Sequence, residues 1–198
     1  IKSQEELGID ILVDGEMDRG DMVTYFSELL EGFTISGLVR SYGNRYYRKP
    51  IVVGPVGRKN PMTLKTWEYA QSLTDKPVKG MLTGPYTIAE WSFNEYYSTF
   101  EEFVMEVAKV VHDEAMDLER AGAKYIQIDE PAASTRPEEM ELVAKSMGVV
   151  TKGLSAYTLT HICYGDFEAV IDNLNSIPVD NLDMETANQD YSLLELFR

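Results

Sequence analysis

The sequence predicts an α/β fold of the (β/α)8 barrel type, present as about six of the eight βα units. Three observations carry that reading. Short apolar runs bounded by turn residues alternate with segments of helical periodicity, as in a parallel sheet covered by helices. Polar residues able to do chemistry recur where the strands end, at Glu16, Asp129-Glu130, His161/Cys163 and Glu185. Barrel enzymes build their sites from several strand C-termini, whereas an open doubly wound sheet concentrates them at one switch point. Finally, 198 residues fall short of the roughly 250 of a full barrel. The expectation is an incomplete barrel domain over residues 1–198, lacking about one βα unit at each end.

Taken in order, Ser3 to Leu7 reads as the last turn of a helix closed by Gly8. Ile9 to Glu16 reads as a buried strand. Asp21 caps a helix whose Met22, Tyr25, Phe26, Leu29 and Leu30 make one apolar stripe ended by Gly32. Leu38–Tyr42 and Ile51–Gly54 read as short β-like pieces around a basic loop. Pro61-Met62-Thr63 opens a helix carrying Leu64, Trp67, Ala70 and Leu73, which Pro77 stops. Val78 to Pro85 is a strand ending in a Gly-Pro turn, and Ser92 to Ser98 an aromatic-rich loop.

The clearest helix runs from Phe100 to Ala121, with Gly122 at its C-terminal end. Lys124 to Pro131 is a strand with two carboxylates at its tip. Pro137 starts a helix reaching about Met147, and Tyr157 to Tyr164 is the next strand. Phe167, Val170, Ile171 and Leu174 mark a helix, Val179 to Glu185 the last strand, and Tyr191 to Phe197 a final helix.

Composition narrows the function classes. Apolar residues make up 44% and charged residues 26%, ordinary for a globular protein, and no apolar run is long enough to span a bilayer. The formal charge of −15 argues against nucleic-acid or anionic-membrane partners. A single cysteine excludes an internal disulfide and fits the reducing cytoplasm. Six of the 18 Lys and Arg residues fall between Arg40 and Lys59, a patch that reads either as an anion site or as a solvated loop.

The chemistry centres on Thr160-His161-Ile162-Cys163, which holds the only cysteine and one of two histidines. Alternation along a strand puts His161 and Cys163 on one face. An imidazole and a thiolate together favour zinc, and Glu185 on the following strand would complete an N/S/O set typical of catalytic rather than closed structural sites. Such a metal converts a thiol, pKa near about 8.5, to thiolate at neutral pH and makes S-alkylation feasible. Glu16 and Asp129, at other strand ends, could hold an ammonium group. Taken singly, each of these residues also fits a cap, a surface ion pair or a core position. Glu130 is expected to orient its loop, and His112, inside the long helix, to be a surface or boundary residue.

Several blocks resemble the catalytic barrel of the cobalamin-independent methionine synthase family. They are Asp14-Gly15-Glu16 with Asp21-Met22-Val23, Ser41-Tyr42-Gly43-Asn44-Arg45, Lys79 to Pro85, Trp91-Ser92-Phe93, Gln127 to Ala132, Thr160 to Tyr164 and Glu185-Thr186. The resemblance runs in order over nearly the whole chain. It implies zinc held by His161, Cys163 and Glu185, homocysteine bound by Glu16 and Asp129, and the methyl donor contacted by Arg45, Tyr46 and Trp91. The family's fourth zinc ligand, a cysteine, and its proton-donating histidine fall beyond Arg198, so no catalytic residue is assigned in this chain. The family often has cysteine where Tyr46 stands, and an acidic residue where Thr135 stands.

The expected activity is zinc-dependent transfer of a methyl group to homocysteine, making methionine, with methyltetrahydrofolate or a methyl-corrinoid protein as donor. Two alternatives stand beside it: a related zinc enzyme alkylating another small thiol such as coenzyme M, and a non-catalytic zinc or corrinoid-protein binding module.

Overall fold

The computed structural model describes residues 1–40, 44–163 and 167–185. In chain order the elements are α1 (Lys2–Glu6), α2 (Met22–Leu29), β1 (Glu31–Arg40), β2 (Tyr46–Gly57), α3 (Leu64–Gln71), β3 (Gly80–Thr83), α4 (Pro85–Glu90) and β4 (Phe93–Asn94). There follow α5 (Phe100–Ala121), β5 (Tyr125–Asp129), two 3-10 turns at Ala133–Thr135 and Pro137–Glu139, α6 (Met140–Val150), β6 (Tyr157–Ile162), α7 (Phe167–Leu174) and β7 (Asn181–Met184).

The centre is a four-stranded parallel sheet in the order β3-β5-β6-β7. It is extended beside β3 by a parallel bridge between Leu12 and Val78. Five successive chain segments thus run the same way, with helices between them, as the alternating pattern predicts. The core lies between sheet and helices and includes Leu12, Leu82, Ile126, Ile128 and Ile162 from the strand side. Phe103, Val107, Val111, Ala115 and Leu118, the predicted stripe of α5, are all buried against it. Thr99 caps that helix through its side chain to Glu102 N, and Gly122 closes it at φ 108°. Among the described residues no helix is long and apolar enough to cross a membrane.

The structure corrects three readings. The segment Ile9–Glu16 pairs with the sheet only at Leu12, through Leu12 N to Pro77 O and Lys79 N to Leu12 O, 2.8 Å each. The Gln4 side chain takes both backbone groups of Val13, at 2.8 and 2.9 Å, and so replaces a neighbouring strand there.

The two β-like pieces are halves of one long antiparallel hairpin, β1 against β2, with β4 added in parallel to β2. This second sheet is not a βα unit, so among the described residues five segments of the main sheet run parallel where six units were expected. The ribbon is largely half-exposed and irregular in register, so it carries no clean alternation to be read. Lastly, Gly84-Pro85 begins a short helix, α4, where only a turn was expected. The final helix expected over Tyr191–Phe197 lies outside the described residues, as do Ser41–Gly43, Tyr164 and Thr186.

Candidate active site

Each polar strand end is shaped by local chemistry. After Leu12 the chain turns at Gly15 (φ 87°) and Glu16 (φ 53°), and the Asp14 carboxylate receives Glu16 N at 2.9 Å. A left-handed non-glycine residue costs about 1 kcal/mol or more and is held only where its surroundings insist on it. The turn throws the Glu16 side chain, 42% exposed, toward the open end of the sheet.

Asp129 is the last residue of β5, and its neighbour Glu130 points the other way. Glu130 is fully buried and accepts Tyr86 N at 3.0 Å, Thr87 N at 2.8 Å and Thr87 Oγ1 at 2.7 Å. It therefore caps the start of α4 and pins that helix to β5, the orienting role expected of it. A side chain at Gly84 would lie 2.1 Å from the Glu130 carboxyl carbon, so only glycine fits that turn. Burial pushes the Glu130 carboxyl up to about 7 against the pull of those donors.

Asp129 accepts Gln127 Nε2 at 2.8 Å, and Gln127 Oε1 accepts Lys79 Nζ at 2.6 Å. This chain fixes the carboxylate but leaves it poorly solvated. Burial, reinforced by the negative charge of Glu16, pushes Asp129 up to about 6.

His161, the penultimate residue of β6, has its Nδ1 3.0 Å from Asp183 Oδ2 on β7. The carboxylate makes Nδ1 the protonated nitrogen and leaves Nε2 as a lone-pair donor. Ile162 between them is fully buried while His161 and Cys163 are both half-exposed, so the two share one face as predicted. The Cys163 thiol is pushed up first by burial, then by the carboxylates of Asp129 and Glu185. Glu185 follows β7, and its backbone N donates to Ile162 O at 3.2 Å, which sets it across from Cys163.

These ends meet in one cavity of about 900 Å³. Glu16, Asp129, His161 and Cys163 line its floor, while Arg45, Tyr46 and Trp91 line the wall built by the hairpin and the end of α4. Seven of the eight residues expected at the site therefore line one space, and the eighth, Glu185, lies near enough to act electrostatically on Cys163.

A family model described as "Cobalamin-independent synthase, Catalytic domain" matches residues 1–198. The chain belongs to the cobalamin-independent methionine synthase family. A protein of Sulfolobus acidocaldarius named methionine synthase is 40% identical over 199 residues, covering 100% of this chain and 59% of that protein. A 5-methyltetrahydropteroyltriglutamate–homocysteine methyltransferase of Mesorhizobium japonicum is 42% identical over 215 residues, covering 100% of this chain but 27% of its own length. A B12-independent methionine synthase from Shewanella sp. W3-18-1, solved in complex with selenomethionine, superposes with a TM-score of 0.83 at 30% identity. That match covers 91% of this chain and 59% of the other. The α/β fold is thus that of part of these synthases, and the chain spans well under two thirds of the length of these relatives.

Other parts of the basic segment serve structure. Arg58 pairs with the buried Glu114 of α5 at 2.5 Å and with Asp117 at 2.6 Å. Lys59 pairs with Glu31, Arg48 with Glu28, and Lys49 lies 4.3 Å over the Phe93 ring. The six cations do not form a single anion site; within the patch, Arg45 and Arg48 reach the cavity. Tyr47 donates its hydroxyl to Trp91 O at 3.1 Å and joins hairpin to α4. Thr135 turns its hydroxyl to Ala132 O at 2.7 Å. His112 Nδ1 lies 3.0 Å from Val150 O, at the boundary between α5 and α6.

Sequence reasoning missed Arg19 and Gln127. Both are charged or polar groups buried beside carboxylates of the site, and their spacing from Glu16 and Asp129, three and two residues, was the available signal.

Proposed function

We propose that this chain forms most of the homocysteine site of a zinc-dependent methyltransferase that makes methionine. The observation that carries the reading is the convergence of Glu16, Asp129, His161 and Cys163 on one cavity at the ends of parallel strands, in a chain of this family.

The residues suit zinc by their chemistry. His161 offers Nε2 while Asp183 holds Nδ1, and Cys163 stands among carboxylates that disfavour its thiolate until a cation arrives. Glu185 stands across from Cys163 on the adjoining strand. Among the described residues no group of three or more His, Cys, Asp or Glu side chains stands close enough together to hold a metal ion. His161, Cys163 and Glu185 would hold the ion, which when bound supplies the positive charge that lets a thiol bind as thiolate near neutral pH.

The protein's own groups do the rest. Glu16 and Asp129 bind the substrate ammonium and so aim its sulfur at the His161/Cys163 end of the cavity. Burial that leaves Asp129 near pKa 6 makes the arriving cation the group that completes its ionisation. Arg45, Tyr46 and Trp91 form the wall that receives the methyl donor. The donor is methyltetrahydrofolate or a methyl-corrinoid protein. Thr135, standing where the family has an acidic residue, faces its own backbone and supplies no carboxylate to a pterin.

A sulfonate thiol such as coenzyme M is disfavoured, because its anion would sit beside two carboxylates. The parallel arc belongs to an incomplete (β/α)8 barrel, a reading supported by the greater length of the relatives. The lone thiol suits the cytoplasm.

The test is zinc content of the full-length natural protein, with Cys163→Ser and His161→Ala beside it. About one zinc per chain, lost in both variants, is expected. Full occupancy in both variants, or none in metal-replete wild type, overturns the reading. Single-turnover assays with methyltetrahydrofolate and with a methyl-corrinoid protein then separate the donors.

A further inference from the structure

Arg19 is a closely held charged side chain of the cavity and has no part in the proposed function. Its side chain is 5% exposed. One terminal nitrogen, Nη1, lies 2.6 Å from Glu16 Oε1, and the other, Nη2, donates to Met81 O on β3 at 2.9 Å. The guanidinium carbon sits 5.2 Å from the ring centres of both Tyr25 and Phe26 on α2. Its Nε is buried with no hydrogen-bond partner. A buried N–H left unpaired costs about 1–3 kcal/mol, so the surroundings hold this group in place against its own solvation.

The consequence falls on Glu16. An exposed carboxylate on a turn samples several rotamers and must be ordered when a ligand binds, at a cost of about 0.5–1.5 kcal/mol per side chain. Here one oxygen is tied down by a cation that is itself clamped between β3 and α2. The other oxygen is left as the acceptor for a ligand. Charge points the same way. Arg19 offsets part of the negative charge of the acidic residues that line the cavity, Glu16 and Asp129 among them, and leaves an acidic surface for an ammonium group.

We propose that Arg19 is a positioning residue: through a β3-anchored guanidinium it orients the Glu16 carboxylate so that its other oxygen accepts the ammonium group of an aminothiol. The inference rests on the reading of Glu16 as an ammonium ligand.

The experiment measures homocysteine Kd by intrinsic fluorescence, using Trp91 in the cavity wall as reporter, in the zinc-loaded full-length protein. The proteins are wild type, Arg19→Met, Glu16→Gln and the double variant. Arg19→Met is expected to raise Kd about 10–100-fold, with zinc content and donor KM within about twofold of wild type. In the Glu16→Gln background the same substitution is expected to add less than about twofold, because it acts through Glu16. A full additional loss in that background, or parallel loss of zinc and donor affinity, marks a merely structural role and overturns the proposal. Glu16→Gln raising Kd while Arg19→Met does not refutes Arg19 alone. Unchanged Kd in Glu16→Gln sinks the reading of Glu16 itself. Where Arg19→Met does not fold, Arg19→Lys carries the test: an ammonium cannot span Glu16 and Met81, and a Kd within about twofold of wild type refutes the role.

Discussion

Asp129→Asn should stabilise the metal-free protein near neutral pH while damaging the site. Asp129 is half-buried at the end of β5, and its carboxyl is raised from 3.8 to about 6. Burial is the main cause, with the charge of Glu16 adding to it. Because the folded-state value lies above the unfolded one, the native state holds more protons than the unfolded chain between about pH 4 and 6, and stability falls as pH rises through that window. Below it both states are protonated and the residue costs nothing. Above it the whole penalty is present, about 3 kcal/mol at most for a shift of about two units.

Asparagine keeps an oxygen for Gln127 Nε2 and removes the charge. The variant's gain should be near zero at about pH 4 and grow to roughly 1–3 kcal/mol at about pH 7.5, or about 3–10 °C in Tm for a domain of this size. Thermal unfolding of the chelator-treated full-length protein at several pH values reads this directly. Returning zinc should shrink the gain, since a nearby dication lowers a carboxylate's pKa. Homocysteine affinity should fall at the same time, a stability–function conflict of the kind active sites carry. A Tm shift of equal size at every pH, or destabilisation at neutral pH, would refute the account of Asp129 as a half-buried charge held against solvation.

Asp183→Ala should weaken zinc binding about tenfold, read by competition with a chelating dye, because it removes the carboxylate that holds His161 Nδ1 at 3.0 Å; unchanged affinity would show that His161 is oriented by other means. Glu114→Gln should cost about 3–5 kcal/mol and lower Tm by about 10 °C without altering zinc content. That fully buried carboxylate pairs with Arg58 and receives Met62 N, Thr63 N and the Thr63 hydroxyl, and an amide nitrogen there would face donors. A loss under about 1 kcal/mol would refute its role as cap of α3.

Periodicity and punctuation were enough to locate the longer helices of the parallel arc, though not the short α4, because local physics decides them. Phe103, Val107, Val111, Ala115 and Leu118 line up on one face whatever surrounds them, and Gly122 ends that helix by its own conformational freedom. The strand ends were legible for the same reason, since alternation alone puts His161 and Cys163 on one side of Ile162.

The hairpin Glu31–Gly57 was not legible, because a half-exposed ribbon has no buried face to impose a period. Nor was the failure of Val13 to join the sheet, which depends on the side chain of Gln4 nine residues away. The cavity itself belongs wholly to tertiary structure. Sequence could name Glu16, Asp129, His161 and Cys163 as suited to the chemistry, but their convergence follows from the parallel order of strands. Arg19 shows the limit most clearly. Its type and place in the chain were visible, yet the partners that fix it, Met81 and the rings of Tyr25 and Phe26, come from β3 and α2, and only folding brings them together.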